Sequence, residues 1–218
     1  MELTYFLVFL LCFLPTLPAQ QNQQIYDILF MVLQNPSTLK GKAPWGIHGI
    51  WAEKLDPLVG PSPQRYKYVP VQSCQSFPPF DPKISQKITK ALDKAWSSLS
   101  ATWPNVKFWE HEYNKHGSCI VDLLPTSTDY LMKALYLWEQ LKFDEVMGKG
   151  KQFEPNTLYK TEDILKGIKV SHNVRPELTC IGNKLTDVRF CHTRNWVLVD
   201  CEGIQTSCTG QIKYVRQV

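Results

Sequence analysis

Cysteine usage constrains this chain more than any other feature of its sequence, because it bears on both the compartment and the fold. The stretch from Leu3 to Leu14 is almost wholly apolar, is too short to span a bilayer comfortably, and is followed by two prolines. It predicts a cleaved signal peptide over residues 1–19 and export to an oxidising compartment. One of the seven cysteines leaves with that peptide. The remaining six are Cys74, Cys119, Cys180, Cys191, Cys201 and Cys208.

An even number of cysteines in an oxidising compartment predicts three disulfides, although spacing alone leaves their pairing open. Zinc binding is the competing interpretation, and the absence of a Cys-x-x-Cys motif argues against it. No later apolar run is long enough to span a membrane, so we expect a soluble mature chain. Loss of Glu2 with the signal peptide raises the formal net charge from +4 to +5, which suits an anionic partner without demonstrating one.

Composition and periodicity predict one globular domain over residues 20–218. Hydrophobic residues make up 44% of the chain and charged residues 20%, which argues against extensive disorder or a coiled coil. Apolar runs typical of strands lie near both ends of the domain, and helical patterns lie between them. We therefore predict an α+β fold in which helices flank a central antiparallel or mixed sheet.

The individual elements follow from the same patterns. Strands are predicted at residues 25–33, 45–51, 185–191, 195–201 and 212–215. Helices are predicted to open at Asp81-Pro82, to cover about residues 108–118 and 129–142, and to follow Thr161. Residues 34–44 and the proline-rich residues 52–80 are predicted to be loops, the second of them pinned by Cys74.

Three of the five histidines lie in two dense patterns, one over residues 47–51 (IHGIW) and one over residues 108–119 (FWEHEYNKHGSC). On a helix, one face of the second pattern carries His111, Glu112, Lys115 and His116. Two histidines can divide the roles of general base and general acid, and a lysine can stabilise negative charge on a phosphoryl group. This combination suits cleavage of RNA through its own 2′-hydroxyl without a metal ion, and the basic net charge agrees with an RNA substrate.

The two patterns resemble the active-site segments of the ribonuclease T2 family of secreted endoribonucleases. The first matches as His48-Gly49-Ile50-Trp51, and the second as Trp109-x-His111-Glu112-x-x-Lys115-His116-Gly117-x-Cys119. The resemblance covers roughly residues 25–210. It implies a T2-like catalytic domain that cleaves single-stranded RNA to a 2′,3′-cyclic phosphate and then to a 3′-phosphate, with no metal or other cofactor. It also implies a secreted enzyme, or one delivered to a lysosome or vacuole, and we expect a monomer.

The resemblance implies a role for each matching residue. His116 would be the base toward the 2′-hydroxyl and His48 the acid toward the leaving 5′-oxygen, with Glu112 as the third catalytic group. The other implied site residues are His111 and Lys115 for phosphate, Trp51 for stacking on a base, and Gln34, Asn105 and Phe108 for a second base. The implied disulfides are Cys74–Cys119, Cys180–Cys208 and Cys191–Cys201.

Departures from the family pattern leave some questions open. Ala52-Glu53 stands where the family usually has Pro-Asp, which puts the base preference in doubt. Strict strand alternation puts His48 and Trp51 on opposite faces, so a shared cleft requires the strand to bend or end near Gly49.

Two other functions compete with the leading hypothesis of a secreted endoribonuclease. One alternative is a secreted T2-fold effector or recognition protein in which RNA cleavage is secondary. A disulfide-rich metal hydrolase is the other, and the spacing of five between His111 and His116 counts against it, since zinc proteases place their histidines four apart.

Overall fold

The computed structural model of the chain describes residues 25–35, 45–58, 65–75, 77–84, 86–147, 153–154, 156–201 and 207–214. The predicted signal peptide and most of the predicted loop over residues 34–44 lie outside these ranges. Within them, one mixed sheet packs against helices, so the predicted α+β class is confirmed. None of the described helices is long and apolar enough to cross a membrane.

The sheet has eight strands and is flanked by five described helices. The strands are β1 (Ile28–Gln34), β2 (Gly46–Leu58), β3 (Arg65–Val71), β4 (Leu158–Lys160), β5 (Glu177–Ile181), β6 (Lys184–His192), β7 (Leu198–Val199) and β8 (Gln211–Lys213). The helices are α1 (Gln86–Ala95), α2 (Asn105–Lys115), α3 (Ser127–Leu141), α4 (Phe143–Met147) and α5 (Thr161–His172). The strand order is β3-β2-β1-β6-β8-β4, and β5 and β7 also pair with β6. Only the β6–β8 pair is parallel among the described strands.

Strand β1 lies inside the sheet, and all of its residues are buried. Residues 29, 31 and 33 join a large core that includes side chains of the helices. Residues 28, 30 and 32 join a smaller cluster on the other face, which also contains Cys191 and Cys201. Burial on both faces explains why this strand is a continuous apolar run in the sequence rather than an alternating one.

The prediction of one long loop over residues 52–80 is wrong, because β2 continues to Leu58 and β3 returns beside it. Strand β1 pairs with β2 only as far as Glu53, and β3 is an edge strand. Pro57 and Pro70 therefore lie where the backbone has a neighbouring strand on one side only. A missing N–H group is tolerated at such positions, so these prolines do not interrupt the hairpin.

Two other boundaries differ from the prediction. The helix predicted to open at Asp81-Pro82 begins at Gln86, because the Asp81 carboxylate accepts a 2.8 Å hydrogen bond from the N–H of Lys83 in a local turn instead. The strand predicted over residues 195–201 shortens to Leu198–Val199, after a turn in which Trp196 N–H donates to the carbonyl of Thr193. Strands β4 and β5 and helix α4 were not predicted from the sequence.

The described cysteines form three disulfides, and their pairs are the ones that the family resemblance implies: Cys74–Cys119, Cys180–Cys208 and Cys191–Cys201. The first joins the segment after β3 to the 3-10 turn over Gly117–Cys119, which follows α2 directly. The N–H of Ser73 also donates to the carbonyl of Lys115, at 2.6 Å. These bonds anchor the end of α2, where the candidate catalytic residues lie.

Candidate active site

A β-bulge in β2 positions His48. Across the β1–β2 pair, Val32 lies opposite Gly49 and Leu33 lies opposite Ile47, so His48 is an extra residue on β2. A bulge redirects the side chains on either side of it. The rings of His48 and Trp51, which strict alternation would separate, lie 4.9 Å apart between centroids. The bulge thus supplies the bend that the sequence analysis required near Gly49.

Helix α2 supplies four further side chains to the site. It ends at Lys115, and His116 is its C-cap residue. His111 and Lys115 are partly exposed, whereas Glu112 and His116 are only 2% and 4% exposed. The helical face that the sequence predicted is therefore present, with two of its groups accessible to solvent and two buried.

The Glu112 carboxylate lies between the two candidate acid–base histidines. Its Oε2 accepts a 3.0 Å hydrogen bond from the indole N–H of Trp51. The Nε2 atoms of His48 and His116 lie 3.8 Å from Oε1 and 3.9 Å from Oε2, respectively. Burial raises the pKa of Glu112, while the nearby His48 and the Trp51 hydrogen bond oppose that rise. When this carboxyl is ionised, it stabilises an imidazolium on either histidine.

The surroundings of His116 favour a neutral imidazole. Its ring stacks on Trp51, with centroids 4.8 Å apart and planes inclined by 20°. Neither ring nitrogen has a hydrogen-bond partner among the residues that the structure describes. Burial lowers the pKa of His116 to about 3, and the charge of Lys115 acts in the same direction. A neutral ring nitrogen without a partner is suited to accept a proton from a bound substrate.

His48 has different contacts from His116. The side chain is partly exposed, and its Nδ1 lies 3.0 Å from Oδ1 of Asp187. Because a carboxylate can only accept a hydrogen bond, Nδ1 is the donor. Asp187 belongs to β6, where it lies opposite Gln34 of β1. Asp187 was not predicted from the sequence, since it is 139 residues from His48 along the chain and shares no local motif with it.

Three clefts meet at Lys115, which lines all of them. The His48 cleft has a volume of about 580 Å³ and contains His48, Phe108, His111, Glu112 and Asp187 but not His116. The His116 cleft has a volume of about 380 Å³ and contains His116, Glu53, Tyr66, Tyr68 and Arg189 but not His48. The outer cleft has a volume of about 600 Å³ and contains Ser73, Trp103, Lys107, Glu110, His111 and Asn114. In the described part of the chain, no group of three or more His, Cys, Asp or Glu side chains could hold a metal ion.

The residues predicted to bind bases have different positions. Trp51 lines both the His48 cleft and the His116 cleft. Phe108 lines the His48 cleft, with its ring centroid 5.8 Å from that of His48. Gln34 lines the same cleft, although its amide N–H groups donate to the carbonyls of Ile47 and Ser97.

Asn105 is not brought to the site. It lines none of the three clefts, because its amide N–H donates to Asp93 and its carbonyl oxygen accepts from the N–H of Ser98. These two bonds tie the start of α2 to the end of α1 and the residues that follow it.

A second buried carboxyl lines the His116 cleft. Glu53 is 3% exposed, and its Oε2 has no hydrogen-bond partner among the described residues. Arg189 pairs with Glu177 at 3.2 Å and lies 5.1 Å from the centre of the Trp51 ring. Burial raises the pKa of Glu53 to about 7, an effect that Glu177 reinforces and Arg189 opposes. The motif pointed to Glu53, but Glu177 and Arg189 lie on other strands and were not predicted from the sequence.

Close packing explains the glycines of the two motifs. A Cβ atom on Gly49 would lie 2.6 Å from Oε2 of Glu112 and 2.9 Å from Nε1 of Trp51. A Cβ atom on Gly117 would lie 2.6 Å from the ring of Tyr113. All three distances are far below van der Waals contact, so a larger residue at either position must displace its neighbours.

Buried side chains from the helical layer hold the bulge in place. The indole N–H of Trp96 donates to the carbonyl of His48 at 3.0 Å, and that of Trp109 donates to the carbonyl of Trp96 at 2.8 Å. The Tyr130 hydroxyl accepts from the N–H of Ile50 and donates to its carbonyl, at 3.0 and 3.1 Å. Trp96, which follows α1 and is supported by α2, and Tyr130 of α3 therefore hold the backbone of β2 on both sides of Gly49.

The fold is α+β, and the site places two histidines just under 4 Å from one buried carboxyl group. The sequence profile of the Ribonuclease T2 family matches residues 6–201. The chain therefore belongs to the ribonuclease T2 family.

Individual relatives agree with this assignment. Ribonuclease DdI of Dictyostelium discoideum is 29% identical over 80% of this chain and 74% of its own length. Ribonuclease T2 of Sus scrofa is 26% identical over 78% of this chain and 84% of its own length. A mutant of RNase MC1 of bitter gourd, solved in complex with 5′-GMP, has a similar fold. That comparison has a TM-score of 0.70 and an identity of 19%, and it covers 87% of this chain and all of the other.

We predict that Gly49→Ala lowers the free energy of unfolding by about 1–3 kcal/mol, the usual cost of overpacking, and impairs catalysis. The new methyl group would separate Glu112 from Trp51, which is the contact on which the site depends. Urea unfolding and activity measurements test both effects. Gly46→Ala is the matched control in the same strand, since its Cβ would meet only the carbonyl of Ala95, at 3.2 Å. Equal losses in the two variants would contradict this prediction.

We predict that Glu53→Gln stabilises the protein at pH 8 and has little effect at pH 4. In the folded state burial raises the pKa of Glu53 from 4.5 to about 7, so the native protein binds this proton more tightly than the unfolded chain does. The contribution of Glu53 to stability is therefore greatest below about pH 4.5 and is lost as the pH rises to about 7.

The shift corresponds to a gain on the order of 3 kcal/mol for the variant at pH 8. Thermal unfolding of both proteins across this pH range measures the difference. The exposed Glu139→Gln serves as the control. A Glu53→Gln variant with the same gain at pH 4 as at pH 8 would show that ionisation of Glu53 is not the cause.

Proposed function

We propose that this protein is a secreted endoribonuclease that cleaves single-stranded RNA by transphosphorylation, through a 2′,3′-cyclic phosphate to 3′-phosphate products, without a metal ion or other cofactor. The observation that carries this proposal is the contrast between the two histidines beside Glu112. His116 is buried with both ring nitrogens unpartnered among the described residues, whereas His48 is bonded to Asp187. Two titratable groups in contrasting environments can divide the roles of base and acid.

In the first step, His116 accepts the proton of the 2′-hydroxyl, and the 2′-oxygen attacks the adjacent phosphorus. The proton creates an imidazolium, which the ionised Glu112 carboxyl stabilises from 3.9 Å. Lys115 and His111 are the groups at the phosphate. Lys115 lies where all three clefts meet, so its ammonium stabilises the charge that develops on the phosphoryl oxygens.

In the same step, His48 donates a proton to the leaving 5′-oxygen. The carboxylate of Asp187 accepts the hydrogen bond from Nδ1, which orients the ring so that Nε2 can deliver the proton. The second step runs with the roles reversed: His48 removes a proton from water, and His116 returns one to the 2′-oxygen. The 3′-phosphate product follows from that hydrolysis.

The clefts support a division of the substrate into two nucleosides. The one that carries the reactive 2′-hydroxyl occupies the His116 cleft, beside Trp51 and Glu53. The leaving nucleoside occupies the His48 cleft, beside Phe108 and Gln34. Stacking on Trp51 is tolerant of the base, whereas hydrogen bonds to Glu53 discriminate between bases. Asn105 is hydrogen-bonded to Asp93 and Ser98 instead. Its contribution to base binding stays a prediction.

Secretion is supported by the three disulfides and by the apolar N-terminal stretch. We propose one catalytic domain over residues 20–218, acting as a monomer. The alternative of an effector or recognition protein makes a separate prediction, namely that a biological effect survives loss of His116.

We predict that His48→Ala and His116→Ala each lower turnover by roughly 10²–10⁴-fold, the usual contribution of a general acid or base. The double variant should lose much less than the product of the two losses, because both groups serve one proton-transfer cycle. The test is digestion of dinucleotides and homopolymeric RNAs across pH with identification of the products, for the wild type and the three variants.

His172→Gln is the matched control, because this histidine lines none of the three clefts. The wild type should release 2′,3′-cyclic phosphates first and keep full activity in excess EDTA. Near-normal turnover of either well-folded alanine variant would refute the assignment, and loss of activity in EDTA would favour a metal hydrolase.

We predict that Asp187→Asn lowers turnover of a dinucleotide by about 10- to 100-fold, as part of the contribution of the acid His48. The loss should nearly vanish on the 4-nitrophenyl 3′-phosphate ester of the same nucleoside, because nitrophenolate leaves without needing a proton. Asp187→Glu should restore part of the rate on the dinucleotide. If Asp187→Asn lost the same factor on both substrates, its role would be structural rather than the positioning of a proton donor.

A further inference from the structure

The outer cleft is as large as the His48 cleft, and apart from His111 and Lys115 its lining residues have no role in the proposed cleavage of a dinucleotide. Its volume is about 600 Å³, and its wall includes Trp103, which is 45% exposed, and Lys107. The Lys107 side chain is 65% exposed. Proteins that bind single-stranded nucleic acids combine an exposed aromatic ring with a positively charged group. The bases stack on the ring, and the phosphate contacts the cation.

The residues shared between clefts show which end of an RNA chain can reach this one. The outer cleft and the His48 cleft have three described residues in common, Trp103, His111 and Lys115. The outer cleft and the His116 cleft have only Lys115 in common. A chain that leaves the His48 cleft therefore passes over Trp103 into the outer cleft without crossing the reacting phosphate.

We propose that the outer cleft is a third nucleotide subsite, which binds the nucleotide on the 3′ side of the cleaved dinucleotide. This inference rests on the proposed function, because the proposed acid His48 marks its own cleft as the place of the leaving nucleoside. The base of the third nucleotide stacks on Trp103, and its 5′-phosphate is bound by Lys107. Ser73 and Asn114 add polar groups to the same wall.

One feature of the cleft opposes phosphate binding. Glu110 also lines it and pairs with Lys107 at 3.0 Å. Both side chains of this pair are solvent-exposed, and exposed ion pairs contribute little to stability. A phosphate can therefore replace Glu110 as the partner of Lys107 at small cost, and the two lysines leave the described lining with an excess of positive charge.

The test uses short chains in which only one nucleotide carries a 2′-hydroxyl, so that cleavage occurs at one bond. The three substrates are a dimer with the ribonucleotide first, the same dimer with one deoxynucleotide added on the 3′ side, and the same dimer with one added on the 5′ side. For the wild type, the 3′ extension should raise kcat/KM by roughly 5- to 100-fold, the value of one base–aromatic stack. The 5′ extension should give a smaller gain.

The variants separate the subsite from the catalytic centre. Lys107→Ala should leave cleavage of the dimer unchanged and lose part of the gain from the 3′ extension. Trp103→Ala should lose most of that gain, measured relative to its own rate on the dimer. Lys166→Ala removes an equal charge from the exposed face of α5, and it should keep the whole gain.

The outcomes distinguish this proposal from the one on which it rests. A wild type that cleaves the dimer but gains nothing from the 3′ extension overturns the third subsite alone. A gain that both variants retain, or a gain that they lose only for the 5′ extension, overturns it as well. A wild type that cleaves none of the substrates overturns the proposed function, and the subsite with it.

Discussion

A carboxylate buried as deeply as that of Glu112 destabilises a protein unless neighbouring groups replace its lost hydration. Here the indole N–H of Trp51 donates a hydrogen bond to it, and the imidazole rings of His48 and His116 lie just under 4 Å away. These groups converge only because β2 carries a bulge at His48 and because Gly49 has no side chain. The packing around one buried carboxyl group thus accounts for the glycine and the tryptophan of the first motif and brings the histidines of both motifs together.

The same cluster separates the two histidines chemically. His116 stacks on Trp51, where burial favours the uncharged ring. His48 lines the His48 cleft, and its Nδ1 is bonded to the carboxylate of Asp187. Each histidine also lines a cleft that the other does not reach. The proposed direction of the RNA chain, with the nucleophile on one side and the leaving group on the other, depends on this separation rather than on any property of an isolated imidazole.

Local sequence predicted those parts of the fold that depend on neighbours along the chain. Helical periodicity placed His111, Glu112, Lys115 and His116 on one face, and the continuous apolar run of β1 indicated a buried strand. The β2–β3 hairpin was missed because Pro57 and Pro70 break strands in general, and only the finished sheet shows that they lie where one side has no neighbouring strand. The late start of α1 has a similar cause, since the turn at Asp81 competes with the helix.

The sequence by itself determined the family, the residue types of the proposed acid–base centre and the cysteines available for pairing, because motif spacing preserves chemistry that acts over a few residues. Only the tertiary structure decided which partners tune that chemistry. Asp187, Glu177 and Arg189 come from β5 and β6, and they meet His48, Trp51 and Glu53 across strands that are far apart in the chain. Burial, which gives His116 and Glu53 their shifted pKa values, is likewise a property of the packed molecule, since no single segment can exclude water from its own side chains.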